Sequence, residues 1–399
     1  MKTINNYQIF KKKVLLRVDL NVPVVDGLIT DKSRINSIKS TVFKLLKNKN
    51  KIFLVSHFGR PQGKYNKKFS LEFLKETISK ELNLEKIYFI EKINKKNILE
   101  FISIMNFGEV ALLENIRFFS EEEKNDSNFS REFSEYFDIY VNDAFSVSHR
   151  NHASIVGITK FLPSVAGESL INEIKNLDVF INNPKKPNTA IIGGAKISTK
   201  IELLNNLVEH FNNIVVGGAM ANTFLLSQGH NVGLSIVEKD LVNLSNQIIN
   251  KAKKFNCNLI LPIDVVCSNN IRDSINIRHS KVENIMPDQM ILDLGDKTIK
   301  TISNVIIRSN MILWNGPVGA FEYEPFDHAT MQIVNTIKNN SKKLNIITLV
   351  GGGDTLSAIK MAKAENYFTY ISTAGGAFLE WLEGKKSPGV QALKDNKLS

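Results

Sequence analysis

Residues 346–364 read IITLVGGGDTLSAIKMAKA. The opening run is short, apolar and rich in β-branched residues, which predicts a strand buried on both faces. Gly351, Gly352, Gly353, Asp354 and Thr355 follow, and then an amphipathic stretch of helix formers. Buried strand, glycine-rich turn and helix in immediate succession are the building unit of a parallel α/β sheet. Glycine lets backbone N–H groups approach an anion without interference from a Cβ. The helix start adds unpaired donors and the positive end of the helix dipole.

The pattern recurs outward from this point. TAII runs into Gly193-Gly194-Ala195-Lys196, NIVV into Gly217-Gly218-Ala219, and MILW into Asn315-Gly316-Pro317-Val318-Gly319, with Glu322 close behind. Downstream, TYIST runs into Ala374-Gly375-Gly376. Glycine clusters at successive strand ends point to a nucleotide site rather than to ordinary turns. Lys196 immediately precedes ISTKIELLNNLVEHF, which reads as a helix, and Lys200 lies within it; four apart, both would reach one anion from one face. Asp354 has two readings, an N-cap or a magnesium ligand against nucleotide phosphates, and the second is favoured. Neither GxxxxGK[ST] nor a clear GxGxxG occurs, against a P-loop ATPase and a conventional dinucleotide dehydrogenase.

The first half ends its strands differently. KVLLRVD, KIFLVSHFG, VALLENIRFF and DIYVNDAF are strand candidates that finish in charged or polar residues. Arg17, Asp19 and Asn21 alternate and would share one face. Only nine of the 51 basic residues are arginines, so a position keeping Arg suggests a need for its planar fork. Arg34, Arg60, Arg117 and Arg150, with His57, would form a cationic bowl for a small anion with more than one charge centre. His57 reads either as a general base or as one more anion ligand.

With 399 residues the chain exceeds what one core usually supports, and two domains are expected. The run ESLINEIKNLDVFINNP, residues 168–184, reads as a single helix between residues 1–167 and residues 185–384. The tail, residues 385–399, has no strong pattern and could be disordered or pack across the junction. Cys257 and Cys267 cannot build a disulfide framework. No apolar run approaches the roughly 20 residues of a membrane span and no signal-peptide stretch opens the chain, so a soluble cytoplasmic protein is expected. The formal net charge of +11 suggests an anionic partner only weakly, because the lysines are scattered. A nucleic-acid binder concentrates charge on one face or carries a known module, and neither is apparent.

RVDLNVP, SHFGRP, LLENIRFF, VNDAFSVSHRNHAS, GGAKISTK, WNGPVGAFE, GGGDTLSA and STAGGAFLE, in that order, resemble the segments of the phosphoglycerate kinase family from Arg17 to Glu380. The resemblance implies an α/β fold of two doubly wound parallel-sheet (Rossmann-like) domains facing across a cleft, with the C-terminal tail returning to the first. It implies reversible transfer of the acyl phosphate of 1,3-bisphosphoglycerate to MgADP, giving 3-phosphoglycerate and MgATP in glycolysis. Asp19, Asn21, Arg34, His57, Gly59, Arg60, Arg117 and Arg150 match the triose side. Gly194, Lys200, Gly218, Glu322, Gly351, Gly352, Gly353, Asp354 and Thr355 match the nucleotide side, with Glu322 on the ribose and Asp354 on Mg2+. Arg34, Lys196, Lys200, Gly375 and Gly376 would surround the transferring group. The family's implied state is a monomer with no nucleic-acid or membrane partner, and hinge closure through the 168–184 helix.

Thr199 stands where the family commonly has Asp, Ala219 and Ala374 replace glycines, and Phe378 replaces a smaller polar residue. Ala374 should therefore avoid a positive φ. The alternatives are a nucleotide-dependent dehydrogenase and a non-enzymatic polyanion-binding protein such as an RNA binder.

Overall fold

The structure, a computed structural model, describes residues 1–272 and 275–398. The chain forms two compact units, Met1–Lys175 together with the residues after Lys385, and Asn176–Lys385. The helix Glu168–Ile181 runs through the division between them.

In the first unit the strands are β1 (Lys13–Arg17), the β2–β3 hairpin (Val24–Val25 and Leu28–Ile29), β4 (Lys51–Val55), β5 (Ile87–Ile90), β6 (Val110–Leu113), β7 (Ile139–Asn142) and β8 (Ser164–Ala166). Six of them form a sheet in the order β5-β6-β4-β1-β7-β8, and every pairing is parallel. Leu16, Val18, Leu54, Leu112 and Val141 belong to its main core. Burial on both faces explains why these strands read as continuous apolar runs rather than alternating ones. From β1 the chain crosses first to β4 and later, on the other side, to β7. That reversal puts a topological switch point at the carboxyl end of β1, where ligands of open α/β sheets bind.

The second unit repeats the plan. Its strands are β9 (Asn188–Ile192), β10 (Asn213–Val216), β11 (Asn258–Ile260), β12 (Asp264–Ser268), β13 (Arg278–Lys281), β14 (Met290–Leu294), β15 (Met311–Asn315), β16 (Ile347–Gly351) and β17 (Tyr370–Ser372). The parallel sheet has the order β11-β10-β9-β15-β16-β17, reversing between β9 and β15. Trp314, Ile191, Val350 and Ile333 are buried in its core.

The apolar run LILPIDVVC, residues 259–267, could be taken for one strand but forms two: Pro262, with no N–H for a ladder, separates β11 in the parallel sheet from β12, which centres an antiparallel sheet with β13 and β14. ISTKIELLNNLVEHF is not one helix either. Ile197–Thr199 is a 3-10 turn and the α-helix begins at Ile201.

The residues after Lys385 form a helix, Pro388–Asp395, with proline in its first turn. Val390 and Leu393 are buried. The Ser387 hydroxyl and the Gly389 N–H both donate to the Ser148 carbonyl at 2.7 Å. The Asn396 amide donates to the carbonyls of Thr159 and Leu162 at 2.6 and 3.0 Å. Removing a fully buried leucine leaves a cavity that costs about 2–5 kcal/mol. Leu393→Ala should therefore lower stability by an amount in that range, read as a fall in urea midpoint with unchanged slope; an unchanged midpoint would show that the tail adds nothing.

Candidate functional site

The carboxyl ends of β1, β4 and β7 supply most of the polar groups in the first unit. Arg17, the last residue of β1, is 1% exposed. Its Nε donates to the Ser154 hydroxyl at 3.0 Å, and its Nη2 lies 3.3 Å from His57 Nδ1. Asp19 pairs with Arg34 at 2.8 Å, and accepts from the Ser146 hydroxyl and, at 3.0 Å, from the Asn21 N–H. Burial works against the Asp19 charge, but Arg34 and these hydrogen bonds outweigh it and hold the carboxyl below its usual range. Arg34 also donates to the Asn21 carbonyl at 2.8 Å, and the Asn21 side chain accepts from the Gly59 N–H at 2.9 Å. Arg117 donates to the Gly59 carbonyl at 2.8 Å.

Asp19, Asn21, Arg34, Gly59 and Arg117 are thus one hydrogen-bonded group. Arg150 and His57 join it electrostatically, because each cation opposes positive charge on its neighbours. Burial first, then Arg150 and Arg17, push Arg117 down to about 10. Burial, opposed by Asp19 and reinforced by Arg17, Arg117 and Arg150, holds His57 well below its ordinary value. Arg150 Nε is buried without a hydrogen-bond acceptor. A cation cluster with too few acceptors is built to receive an anion. Arg60 is exposed beside this group.

In the second unit the glycine loops press against each other at the switch point. The Gly193 N–H donates to the Asn315 carbonyl at 2.9 Å, and a Cβ on Gly193 would stand 2.6 Å from the Pro317 carbonyl carbon. Gly218 donates to the Val318 carbonyl at 2.7 Å. Gly352 adopts φ 101° at the head of the helix Gly353–Met361, a conformation that disfavours a side chain. These loops border a cavity of about 520 Å³ whose walls include Gly194, Gly218, Ala219, Leu292, Val318 and Phe321, with the carboxylates of Glu322 and Asp354. A mainly apolar cavity with glycine edges and two carboxylates suits a nucleoside. A shallower groove of about 720 Å³ over residues 75–89 contains none of the strand-end residues.

Lys196 and Lys200 do not share a helical face. Lys196 is extended (φ −131°, ψ 127°) and the 3-10 turn sets it apart from Lys200. Lys200 donates to the Asn315 side chain. Burial lowers its pKa, opposed by Glu383 and Asp354. Asn315 in turn donates to the Gly351 carbonyl at 2.7 Å, and the Thr355 hydroxyl accepts from the Gly316 N–H at 2.7 Å. Asn315 ties three loops together, as Ser146 and Ser154 tie those of the first unit. None of these partners carries a signal in local sequence. Gly375 and Gly376 are exposed at the start of the helix Gly376–Leu382.

Asp354 is not an N-cap: Gly352 occupies that position and no side chain caps the helix. Asp354 is exposed in the first turn beside the glycine loop. Among the described residues no three His, Cys, Asp or Glu side chains gather as a metal cage. One carboxylate beside a glycine loop at a helix start is nonetheless compatible with Mg2+, which keeps several waters and takes further ligands from substrate phosphates. The substituted positions are accommodated. Ala374 has no positive φ, the Thr199 hydroxyl bonds the Lys196 carbonyl at 2.9 Å, and Phe378 is buried against Gly351.

Two doubly wound sheets, one ending in cations and one in glycine loops, define an α/β protein equipped for two anionic ligands. A family profile described as phosphoglycerate kinase matches residues 4–385. The chain is 43% identical over 392 residues to the phosphoglycerate kinase of Bartonella bacilliformis, covering 98% of each chain. It is 44% identical over 393 residues to that of Wolbachia pipientis, again covering 98% of each. The solved phosphoglycerate kinase of Coxiella burnetii superposes with a TM-score of 0.90 at 35% identity, with 98% of each chain covered. The chain belongs to the phosphoglycerate kinase family. Its function is that of a phosphoglycerate kinase, a phosphotransferase enzyme, and the dehydrogenase and polyanion-binding alternatives are not favoured. Kinases of this family use MgADP and MgATP. Among the described residues no helix is long and apolar enough to cross a membrane.

Asp293, on β14 in the cavity wall, is 1% exposed and accepts from the Ala329 N–H at 2.9 Å. Burial raises its pKa to about 8. An unfolded aspartate titrates near 4, so the folded chain keeps a proton that the unfolded chain releases. Stability from this group is complete below about pH 4 and is lost as pH rises toward about 8, at up to about 1.4 kcal/mol per pH unit. Asp293→Asn should flatten the pH dependence of urea unfolding across that range; an unaltered slope would contradict the assignment.

Proposed function

We propose that the first unit holds the triose acid and the second the nucleotide, and that the chain moves the acyl phosphate of 1,3-bisphosphoglycerate to ADP, reversibly. The observation that supports this most is the division of equipment. Arg17, Arg34, Arg117, Arg150 and His57 gather on one sheet, and the glycine loops with Lys200 on the other. Asp19 and Asn21 would orient a substrate hydroxyl or carboxylate oxygen, while Arg60, Arg117 and Arg150 would take its phosphate. Glu322 would hold the ribose hydroxyls, and Gly194, Gly218 and Gly351 to Thr355 would line the base and phosphate path.

The attacking atom is a β-phosphate oxygen of ADP, already anionic. It forms the new O–P bond as the bond from phosphorus to the acyl oxygen breaks and the carboxylate leaves, so no general base is required. His57 accordingly serves as a neutral ligand rather than a base. Phosphoryl transfer depends on in-line positioning and on cations around the transferring group. Arg34, Lys196, Lys200 and the Gly375–Gly376 amides would supply these. Asp354 would hold Mg2+ where that ion neutralises nucleotide phosphate charge. The protein would act in the cytoplasm as a monomer, with no nucleic-acid or membrane partner.

The direct test is formation of ATP from 1,3-bisphosphoglycerate, ADP and Mg2+ by the purified protein; no ATP would refute the reading. Arg34→Ala should lower kcat by roughly 10³-fold, the scale of an arginine that stabilises a phosphoryl transition state. Its KM for MgATP should change little, and an unchanged kcat would remove Arg34 from catalysis. Arg150→Ala should chiefly raise the KM for 3-phosphoglycerate, because it would remove binding common to ground and transition states.

A further inference from the structure

Beneath the arginine cluster lies a buried chain of donors and acceptors that none of the roles above uses. Glu122 is fully buried. It accepts from the Ser154 hydroxyl at 2.6 Å through Oε1 and from the Ser154 N–H at 2.8 Å through Oε2. His152 Nδ1 lies 3.7 Å from the same carboxylate. Burial opposes the charge, but His152, Arg17 and both Ser154 bonds keep the Glu122 pKa below its ordinary value. The Ser154 carbonyl is held by the Tyr140 hydroxyl at 2.8 Å.

The hydrogen positions follow from what each group can do. An ionised carboxylate only accepts, so Ser154 donates its single hydroxyl proton to Glu122. Its oxygen is then left as the acceptor for Arg17 Nε at 3.0 Å. Another guanidinium nitrogen, Nη1, donates to the Val18 carbonyl, which fixes the plane of the fork. Nη2 faces His57 Nδ1 at 3.3 Å. An arginine cannot accept, so Nδ1 must present its lone pair, and a neutral ring then has its proton on Nε2.

We infer that Glu122 and Ser154 are positioning residues for the triose site: through Arg17 they commit His57 to the tautomer whose Nε2–H donates to a substrate oxygen. The inference rests on reading the first unit as the triose site, and it extends that reading to residues that touch no substrate. Glu122 also places one buried negative charge under several cations, which limits the repulsion that would otherwise spread them.

The test uses the full chain labelled with 15N in its histidines, the His57 signals being identified by their absence from His57→Gln. At neutral pH, without ligands, the wild-type ring should show an unprotonated Nδ1 and a protonated Nε2; the opposite tautomer or a doubly protonated ring would overturn the inference. Because this readout requires no turnover, it stands whether or not ATP is formed. Ser154→Ala should mix the two tautomers and raise the KM for 3-phosphoglycerate by about tenfold, the scale of a lost hydrogen bond to a charged group. The KM for MgATP should stay within about twofold, the expectation for a site left uncoupled from the change. Ser154→Thr, which keeps the hydroxyl, should restore both readouts. Wild-type KM with an unchanged ring signal in Ser154→Ala would overturn the positioning role, as would failure of Ser154→Thr to rescue.

Discussion

Crowding of positive charge at the carboxyl end of one parallel sheet is the constraint on which the first unit is built. A buried cation is tolerated only where acceptors reach it. Most come from the loops that follow the strands, namely the carbonyls of Val18 and Gly59 and the Asp19 carboxylate against Arg34, and Glu122, on the short helix Ser120–Lys124, acts through Ser154. These provisions remain incomplete, as the unpaired Arg150 Nε and the depressed Arg117 and His57 show. An incoming phosphate and carboxylate would relieve the repulsion. The same imbalance would thereby supply both affinity and a preference for a ligand with two anionic ends.

The second unit, on the proposed reading, would meet the opposite requirement with similar architecture. A nucleotide needs a slot for a flat base and a row of donors for its phosphates. Side chains would obstruct both, so the loops after β9, β10, β15 and β16 are glycine-rich and pack backbone against backbone, as Gly193 does against Pro317. Lys200 stands partly buried beside them, tied to Asn315 and therefore to the Gly351 loop. The switch point of each sheet concentrates these features because loops leaving in opposite directions open a space there.

Much of this was legible in the sequence. Apolar runs ending in Gly pairs or in Arg, Asp and His located the parallel strands and the strand ends where the candidate site residues gather, because burial on both faces and strand-end chemistry each leave a local pattern. What was not legible depends on distant partners. Nothing near Ser154 announces that it joins Arg17 to Glu122, and nothing near Asn315 announces Lys200. The Lys196–Lys200 spacing suggested a common helical face, yet a 3-10 turn intervenes, since a four-residue spacing alone cannot distinguish the two helices. Pro262 was visible, but its effect in sending β12 to a separate sheet was not, because the antiparallel partners β13 and β14 lie further along the chain. The tail lacked a long periodic pattern; its helix is short and gains its stability from the surface it covers.

On the proposed reading each ligand has its own sheet. Hydrogen exchange of the full chain, measured with 3-phosphoglycerate alone and then with MgADP alone, tests it directly. The triose acid should protect the amides of Asn21, Gly59 and Arg117 and leave the glycine loops of the second unit unchanged, while MgADP should protect the segments around Gly194, Gly218 and Gly353 and leave the arginine strand ends unchanged. Protection of the same unit by both ligands would contradict it.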